Sequence, residues 1–130
     1  MADKLLLIDD EPDIRTIGSL ALSSVGGFDV ALAASGAEGL VMALRSAPDV
    51  ILLDVMMPAM DGPTTLARLR AEPTLERVPV IFMTAKSDRR VLDRLLDLGA
   101  AGVILKPYDP MKLAAEVRRI VAALDAHARP

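Results

Sequence analysis

Asp9, Asp10 and Glu11 stand together directly after the apolar run Leu5–Ile8. Asp54 follows the run Val50–Leu53, Thr84-Ala85-Lys86 follow Val80–Met83, and Lys106-Pro107 follow Val103–Leu105. Carboxylates gathered in one place repel, by about 4 kcal/mol for a pair ~4 Å apart at a surface-like dielectric. A hard divalent cation offsets that cost, and Mg²⁺ favours carboxylate, carbonyl, water and phosphate oxygens. Lysine supplies a mobile point charge for a phosphoryl oxygen, and a threonine hydroxyl can donate to another. Neither GxGxxG nor GxxxxGK[ST] occurs, so the chain has no motif for cradling a nucleotide's phosphates. These residue types suit a site that holds a phosphoryl group itself, with a carboxylate as nucleophile and a metal to neutralise charge. Asp54, alone at the end of its run, is the best-placed nucleophile.

Composition narrows the chemistry further. The 130 residues contain no cysteine and one histidine, His127. That excludes a disulfide scaffold, a thiolate zinc site and a histidine-assisted serine or cysteine nucleophile in the body of the chain. A net charge of −3 argues against nucleic-acid binding by bulk charge. The aromatic residues are Phe28, Phe82 and Tyr108, too few for a base-stacking platform. No apolar run approaches the ~18 residues of a membrane span, and the opening Met-Ala-Asp-Lys is unlike a signal peptide. A cytoplasmic location is expected.

Something must bring positions 9, 54, 84 and 106 together. Five apolar runs, Leu5–Ile8, Phe28–Ala33, Val50–Leu53, Val80–Met83 and Val103–Leu105, recur every 20 to 30 residues or so. Apart from Asp29 they carry no charge, as strands covered on both faces require. Helical patterns fill the gaps. Pro12 opens the first, with Ile14, Ile17, Ala21 and Val25 at helical spacing and Gly26-Gly27 as its stop. Ser35 or Gly36 opens the second, with Ala37, Leu40, Val41 and Leu44 as its apolar face. Asp61-Gly62-Pro63 leads into a third carrying Leu66 and Leu69, and Ser87 or Asp88 caps a fourth that runs to Gly99. Asp109-Pro110 starts the last, with Leu113, Val117, Ile120, Val121 and Leu124 toward the core, and Asp13, Asp61 and Asp109 read as caps. The pattern is (βα)5: an open, doubly wound parallel sheet of five strands, whose functional crevice lies at the carboxyl ends of the strands.

Four segments carry a family resemblance. They are Leu-Leu-Leu-Ile-Asp-Asp-Glu-Pro (5–12), Asp-Val-Ile-Leu-Leu-Asp-Val-Met-Met-Pro-Ala-Met-Asp-Gly (49–62), Pro-Val-Ile-Phe-Met-Thr-Ala (79–85) and Gly-Ala-Ala-Gly-Val-Ile-Leu-Lys-Pro-Tyr (99–108). In this order and spacing the chain resembles the receiver domain of two-component response regulators, the CheY-like superfamily. The resemblance implies a flavodoxin-like fold with strand order 2-1-3-4-5. It implies that Asp54 accepts phosphate from a sensor histidine kinase or a histidine phosphotransfer protein. Asp10 and Asp54 would ligate Mg²⁺ directly with the Met56 backbone carbonyl, and Asp9 mainly through water. Thr84 and Lys106 would each bind a phosphoryl oxygen. The Lys106–Pro107 peptide is expected to be cis. Weak self-phosphorylation and hydrolysis would make the protein a signalling module, not a true enzyme. Its product would be a changed surface on the fourth helix, fifth strand and fifth helix, read by a downstream protein that the sequence does not name.

The chain also departs from the family. Receivers commonly carry Tyr or Phe three residues before the lysine, where Val103 stands here. Tyr108 occupies a position where the family often has a packing Phe. Leu92, Leu96, Val103 and Tyr108 are the expected output surface. Ala100, Ala101 and Gly102 replace the acidic pair used by one DNA-binding subfamily to dimerise, so a monomer or weak homodimer is expected. Met56 and Lys86 sit at the positions that tune phosphoryl lifetime. The expected organisation is a receiver over residues 1–126 and a short tail, 127–130, with no output domain, no direct nucleic-acid contact and no membrane contact. A receiver cut from a larger regulator or hybrid kinase and a phosphate-independent pseudo-receiver are the alternatives. An aspartyl phosphatase is disfavoured, because such enzymes place a second Asp where Met56 stands.

Overall fold

The computed structural model describes residues 4–128. Five strands, β1 (Lys4–Ile8), β2 (Asp29–Ala33), β3 (Val50–Asp54), β4 (Val80–Thr84) and β5 (Gly102–Leu105), form one sheet in the order 2-1-3-4-5. Every neighbouring pair is parallel. The helices are α1 (Pro12–Leu20), α2 (Gly36–Ser46), α3 (Gly62–Ala71), α4 (Arg89–Asp97) and α5 (Leu113–Ala128). Strands β3 and β4 are buried along their whole length, which is why they read as continuous apolar runs.

Two cores lie on opposite faces of the sheet. On one, Leu5, Leu7, Val50, Leu52, Ile81 and Met83 alternate inward and meet Leu22, Leu113 and Val117. On the other, Leu6, Ile8, Ile51, Leu53, Val80 and Phe82 meet Ala43, Leu66, Leu69 and Leu95. The period-two alternation of strand side chains divides each apolar run between the two faces.

Several helix faces differ from expectation. In α2 the buried residues are Gly36, Gly39 and Ala43, whereas Val41 and Leu44 are exposed. A Cβ on Gly39 would overlap Ile8, so α2 rides close on β1 over its smallest residues and turns its larger ones outward. Ile17, Val25 and Leu124 are likewise exposed. Helix α1 runs into a π-helical turn, Ala21–Val25, closed by Gly26 N–H donating to Ala21 O at 3.2 Å. A Cβ on Gly26 would overlap Ala114, so that glycine lets α1 close down on α5. Arg118 of α5 fixes the same corner, donating to Gly26 O at 2.7 Å and lying 4.0 Å over the Phe28 ring.

The caps are Ser35, Asp61 and Asp88, each accepting a backbone N–H of the first turn that follows. Asp13 is not a cap. It lies inside the first turn of α1, where its charge suits the helix dipole, and Glu11 holds the cap position. Asp109 and Pro110 belong to a turn, and α5 starts at Leu113, after the Asp109 carbonyl has accepted from Lys112 and Leu113. The expected tail at 127 overlaps the last turn of α5, and residues 129 and 130 lie outside the described residues. No helix among the described residues is long and apolar enough to cross a membrane.

Candidate functional site

The parallel sheet places the ends of β1, β3, β4 and β5 side by side. Asp9, just past β1, is fully buried. Its Oδ1 accepts from Glu11 N–H at 2.9 Å, its Oδ2 accepts from Lys106 Nζ at 2.8 Å, and its carbonyl accepts from Arg15 Nη1 at 2.8 Å. Asp54 ends β3 with 4% of its surface exposed, and its Oδ1 lies 3.1 Å from the same Lys106 Nζ. Thr84 ends β4, buried, with its hydroxyl oxygen accepting from Lys86 N–H at 3.1 Å. Lys106 follows β5. Its backbone N–H donates to Thr84 O at 2.8 Å, and its peptide to Pro107 is cis, as expected. Helix α3 closes the other side: Gly62 N–H donates to Val55 O at 2.9 Å, and a Cβ there would lie 2.6 Å from Asp54 O. Glycine is what lets the start of α3 approach the end of β3.

Burial pushes the Asp54 carboxyl up from its ordinary range, and the negative charge of Asp9 adds to the effect. Lys106 and the Met56 backbone N–H oppose the rise without cancelling it. For Lys106, burial alone would lower the ammonium's pKa, but its hydrogen bond to Asp9 and the charges of Asp9 and Asp54 outweigh burial and raise it. One cation thus stays charged between two carboxylates, and Asp54 remains electrostatically underpaid.

Oxygens of Asp9, Glu11 and Asp54 all lie within 4.8 Å of one another, and this trio could hold a metal ion. The donor set fits a hard divalent cation: three carboxylates, oxygen only, against a single lysine. Asp10, which the resemblance makes a direct ligand, is half-buried and is not one of that trio. Glu11 was visible in the sequence as part of the acidic run but carried no assigned role. Arg15 carried no signal at all, because only the turn of α1 directs its guanidinium back onto Asp9.

A family model described as a response regulator receiver domain matches residues 5–118. The chain belongs to that family. This receiver is 42% identical over 125 residues to the "Probable transcriptional regulator ycf27" of Porphyridium aerugineum, covering 95% of this chain and 50% of that protein. Among solved structures, chemotaxis protein CheY4 of Vibrio cholerae superposes with a TM-score of 0.85 at 30% identity, covering 92% of this chain and 99% of CheY4. The receiver domain of sensor histidine kinase PA1611 from Pseudomonas aeruginosa, with a magnesium ion coordinated in its active-site cleft, gives 0.82 at 29% identity, covering 94% and 99%. The receiver spans about half, or less, of the length of the curated relatives it matches.

Away from the strand ends, Leu92, Leu96 and Val103 line an open groove of about 570 Å³ between α4, β5 and α5. On α4, Leu95 is buried, Val91 and Leu92 are half-buried, and Leu96 and Leu98 are exposed. Tyr108 packs inward against the core beneath α5 and also borders a second groove. Met56 is 67% exposed and Lys86 is exposed, both in loops that follow the strand ends carrying Asp54 and Thr84.

Proposed function

We propose that this receiver takes a phosphoryl group onto Asp54 from a sensor histidine kinase or a histidine phosphotransfer protein. The observation that carries the reading is Lys106 Nζ set between Asp9 Oδ2 and Asp54 Oδ1 at 2.8 and 3.1 Å. A carboxylate oxygen of Asp54 attacks phosphorus, the bond to the donor nitrogen breaks, and a mixed anhydride forms. Lys106 then moves its charge from the carboxylates to a phosphoryl oxygen. Thr84, at the end of the adjacent strand, donates its hydroxyl to another.

Asp9, Asp10, Glu11, Asp54 and the Met56 carbonyl are the groups available to hold Mg²⁺. When bound, the ion supplies charge neutralisation between the carboxylates and the incoming phosphoryl oxygens. The family's output surface maps here to the α4–β5–α5 groove, whose Leu92, Leu96 and Val103 offer an apolar contact for a downstream protein. Self-phosphorylation from small donors and slow hydrolysis complete the proposed activity. Whether the chain acts alone or within a longer regulator, this step is the same.

The test is intact mass after incubation with acetyl phosphate and Mg²⁺, for the wild type and Asp54→Ala. A Mg²⁺-dependent gain of one phosphoryl group in the wild type alone is expected. No gain in a folded wild type would favour the pseudo-receiver, and continuous phosphate release over many turnovers would favour a phosphatase.

A further inference from the structure

Arg15 is the fourth residue of α1 and is half-buried. Its Nη1 donates to the Asp9 carbonyl oxygen at 2.8 Å, six residues back and beyond the start of the helix. Helical side chains lean toward the helix N-terminus, which carries the guanidinium over the first turn to the end of β1. The placement works against the helix dipole, which favours an anion there and not a cation. Among the described residues Arg15 forms no ion pair with a carboxylate, so no salt bridge offsets that cost. What it holds is a main-chain oxygen.

That oxygen belongs to the peptide joining Asp9 to Asp10. A peptide unit is planar, so fixing its oxygen fixes the direction in which the chain leaves for Asp10 and Glu11. The other groups of Asp9 are held from elsewhere. Its N–H donates to Ala33 O at 3.1 Å, its Oδ1 accepts from Glu11 N–H at 2.9 Å, and its Oδ2 accepts from Lys106 Nζ at 2.8 Å. Glu11, at the cap position of α1, makes no side-chain capping bond that would steady the loop. Left to themselves, the clustered acids repel one another toward water. Arg15 opposes this through the backbone, where it occupies no carboxylate oxygen that a cation would use.

We infer that Arg15 is a positioning residue for Mg²⁺: by holding the Asp9–Asp10 peptide it sets where Asp10 and Glu11 stand relative to Asp54, and so raises the site's affinity for the ion. This rests on the reading of these acids as the groups that hold Mg²⁺. The inference has a definite sign. As a charge alone, Arg15 repels a nearby dication, and its removal would tighten Mg²⁺ binding. As an anchor of the loop it does the opposite, and its removal loosens the site. Groups that orient metal ligands without touching the metal typically change affinity by about 10- to 100-fold, so the anchor outweighs the charge.

The experiment is Mg²⁺ binding to the unphosphorylated protein, followed as displacement of Mn²⁺ by the electron paramagnetic resonance signal of the free ion. Wild type, Arg15→Met and Arg15→Lys are compared, each shown to be folded by circular dichroism under the same conditions. Arg15→Met is expected to raise the Mg²⁺ dissociation constant roughly ten-fold. Arg15→Lys keeps a charged donor on a long stem and should come back to within about three-fold of the wild type. An affinity unchanged or higher in Arg15→Met overturns the inference and leaves the acids standing as a Mg²⁺ site. Equal losses in the two variants overturn it as well, because a donor at position 15 is then not what matters. Absence of Mg²⁺ binding in the wild type overturns the reading of the acids, and this inference with it. Should Arg15→Met fail to fold, Arg15→Gln, polar but shorter, takes its place with the same expected loss.

Discussion

Lys106 Nζ stands 2.8 Å from Asp9 Oδ2 and 3.1 Å from Asp54 Oδ1, so one ammonium joins two buried carboxylates from β1 and β3. The lysine itself is brought in by β5, beyond β4. The pairing exists only because the strand order 2-1-3-4-5 lays these strand ends along one edge. Its side chain is 13% exposed, far enough from solvent for the charges to act at short range with little screening.

Removing that cation leaves Asp9 and Asp54 facing each other in a buried setting. Lys106→Met is expected to destabilise the metal-free protein by about 3–5 kcal/mol. Urea denaturation at neutral pH in the presence of a chelator measures this. Added Mg²⁺ should recover more stability in the variant than in the wild type, because the ion then has two unneutralised carboxylates to bind. Equal midpoints for the two proteins without metal would remove Lys106 from the role of clamp.

The raised pKa of Asp54 has a pH consequence with a definite sign. A carboxyl whose folded-state pKa lies above its unfolded value of 3.8 binds its proton more tightly when folded. Its contribution to stability is complete below 3.8 and is lost as pH rises through the folded value. At neutral pH, metal-free Asp54→Asn should therefore melt higher than the wild type, by about 1–3 kcal/mol of stability. The gap should close as pH falls toward 4. Thermal melts across that range check it, and a wild type that stays as stable as the variant at pH 7 contradicts it.

Gly62 sets the distance between α3 and the acceptor strand. In Gly62→Ala the new methyl would lie 2.6 Å from Asp54 O and 2.8 Å from Val55 Cα, both backbone atoms that cannot rotate away. A loss of about 1–3 kcal/mol is expected from such overpacking. Phosphoryl gain from acetyl phosphate should also slow, since the displaced backbone carries Asp54. A variant with wild-type stability and wild-type uptake would show that α3 yields freely.

Met56 lies two residues after Asp54 and Lys86 two residues after Thr84, and both are exposed. Over an acyl phosphate, the thioether of Met56 and the ammonium of Lys86 are expected to obstruct the approach of water. Met56→Asn and Lys86→Glu should each shorten the phosphoryl half-life by roughly three- to ten-fold, up to about 1.4 kcal/mol of barrier. Decay followed by intact mass after removal of the donor measures it. Unchanged half-lives in both variants sink the idea.

The five strands, the parallel sheet and the strand-end positions of Asp9, Asp54, Thr84 and Lys106 are all determined by the sequence itself. A strand covered on both faces is apolar at every position, so its reading does not depend on which residue points which way. The carboxyl end then follows from the first polar residue after each run. Helix faces are another matter. Val41 and Leu44 looked like the core face of α2, but packing selected Gly36, Gly39 and Ala43, because small residues let the helix sit closer to Ile8. Tertiary structure alone decided that a Glu11 carboxylate oxygen lies within 4.8 Å of those of Asp9 and Asp54, that Arg15 reaches back to Asp9, and that the Tyr108 hydroxyl is buried without a partner among the described residues. Each depends on the direction in which a loop or first helical turn aims a side chain. That direction is fixed by backbone dihedrals and by the neighbours that the chain meets only once it is folded.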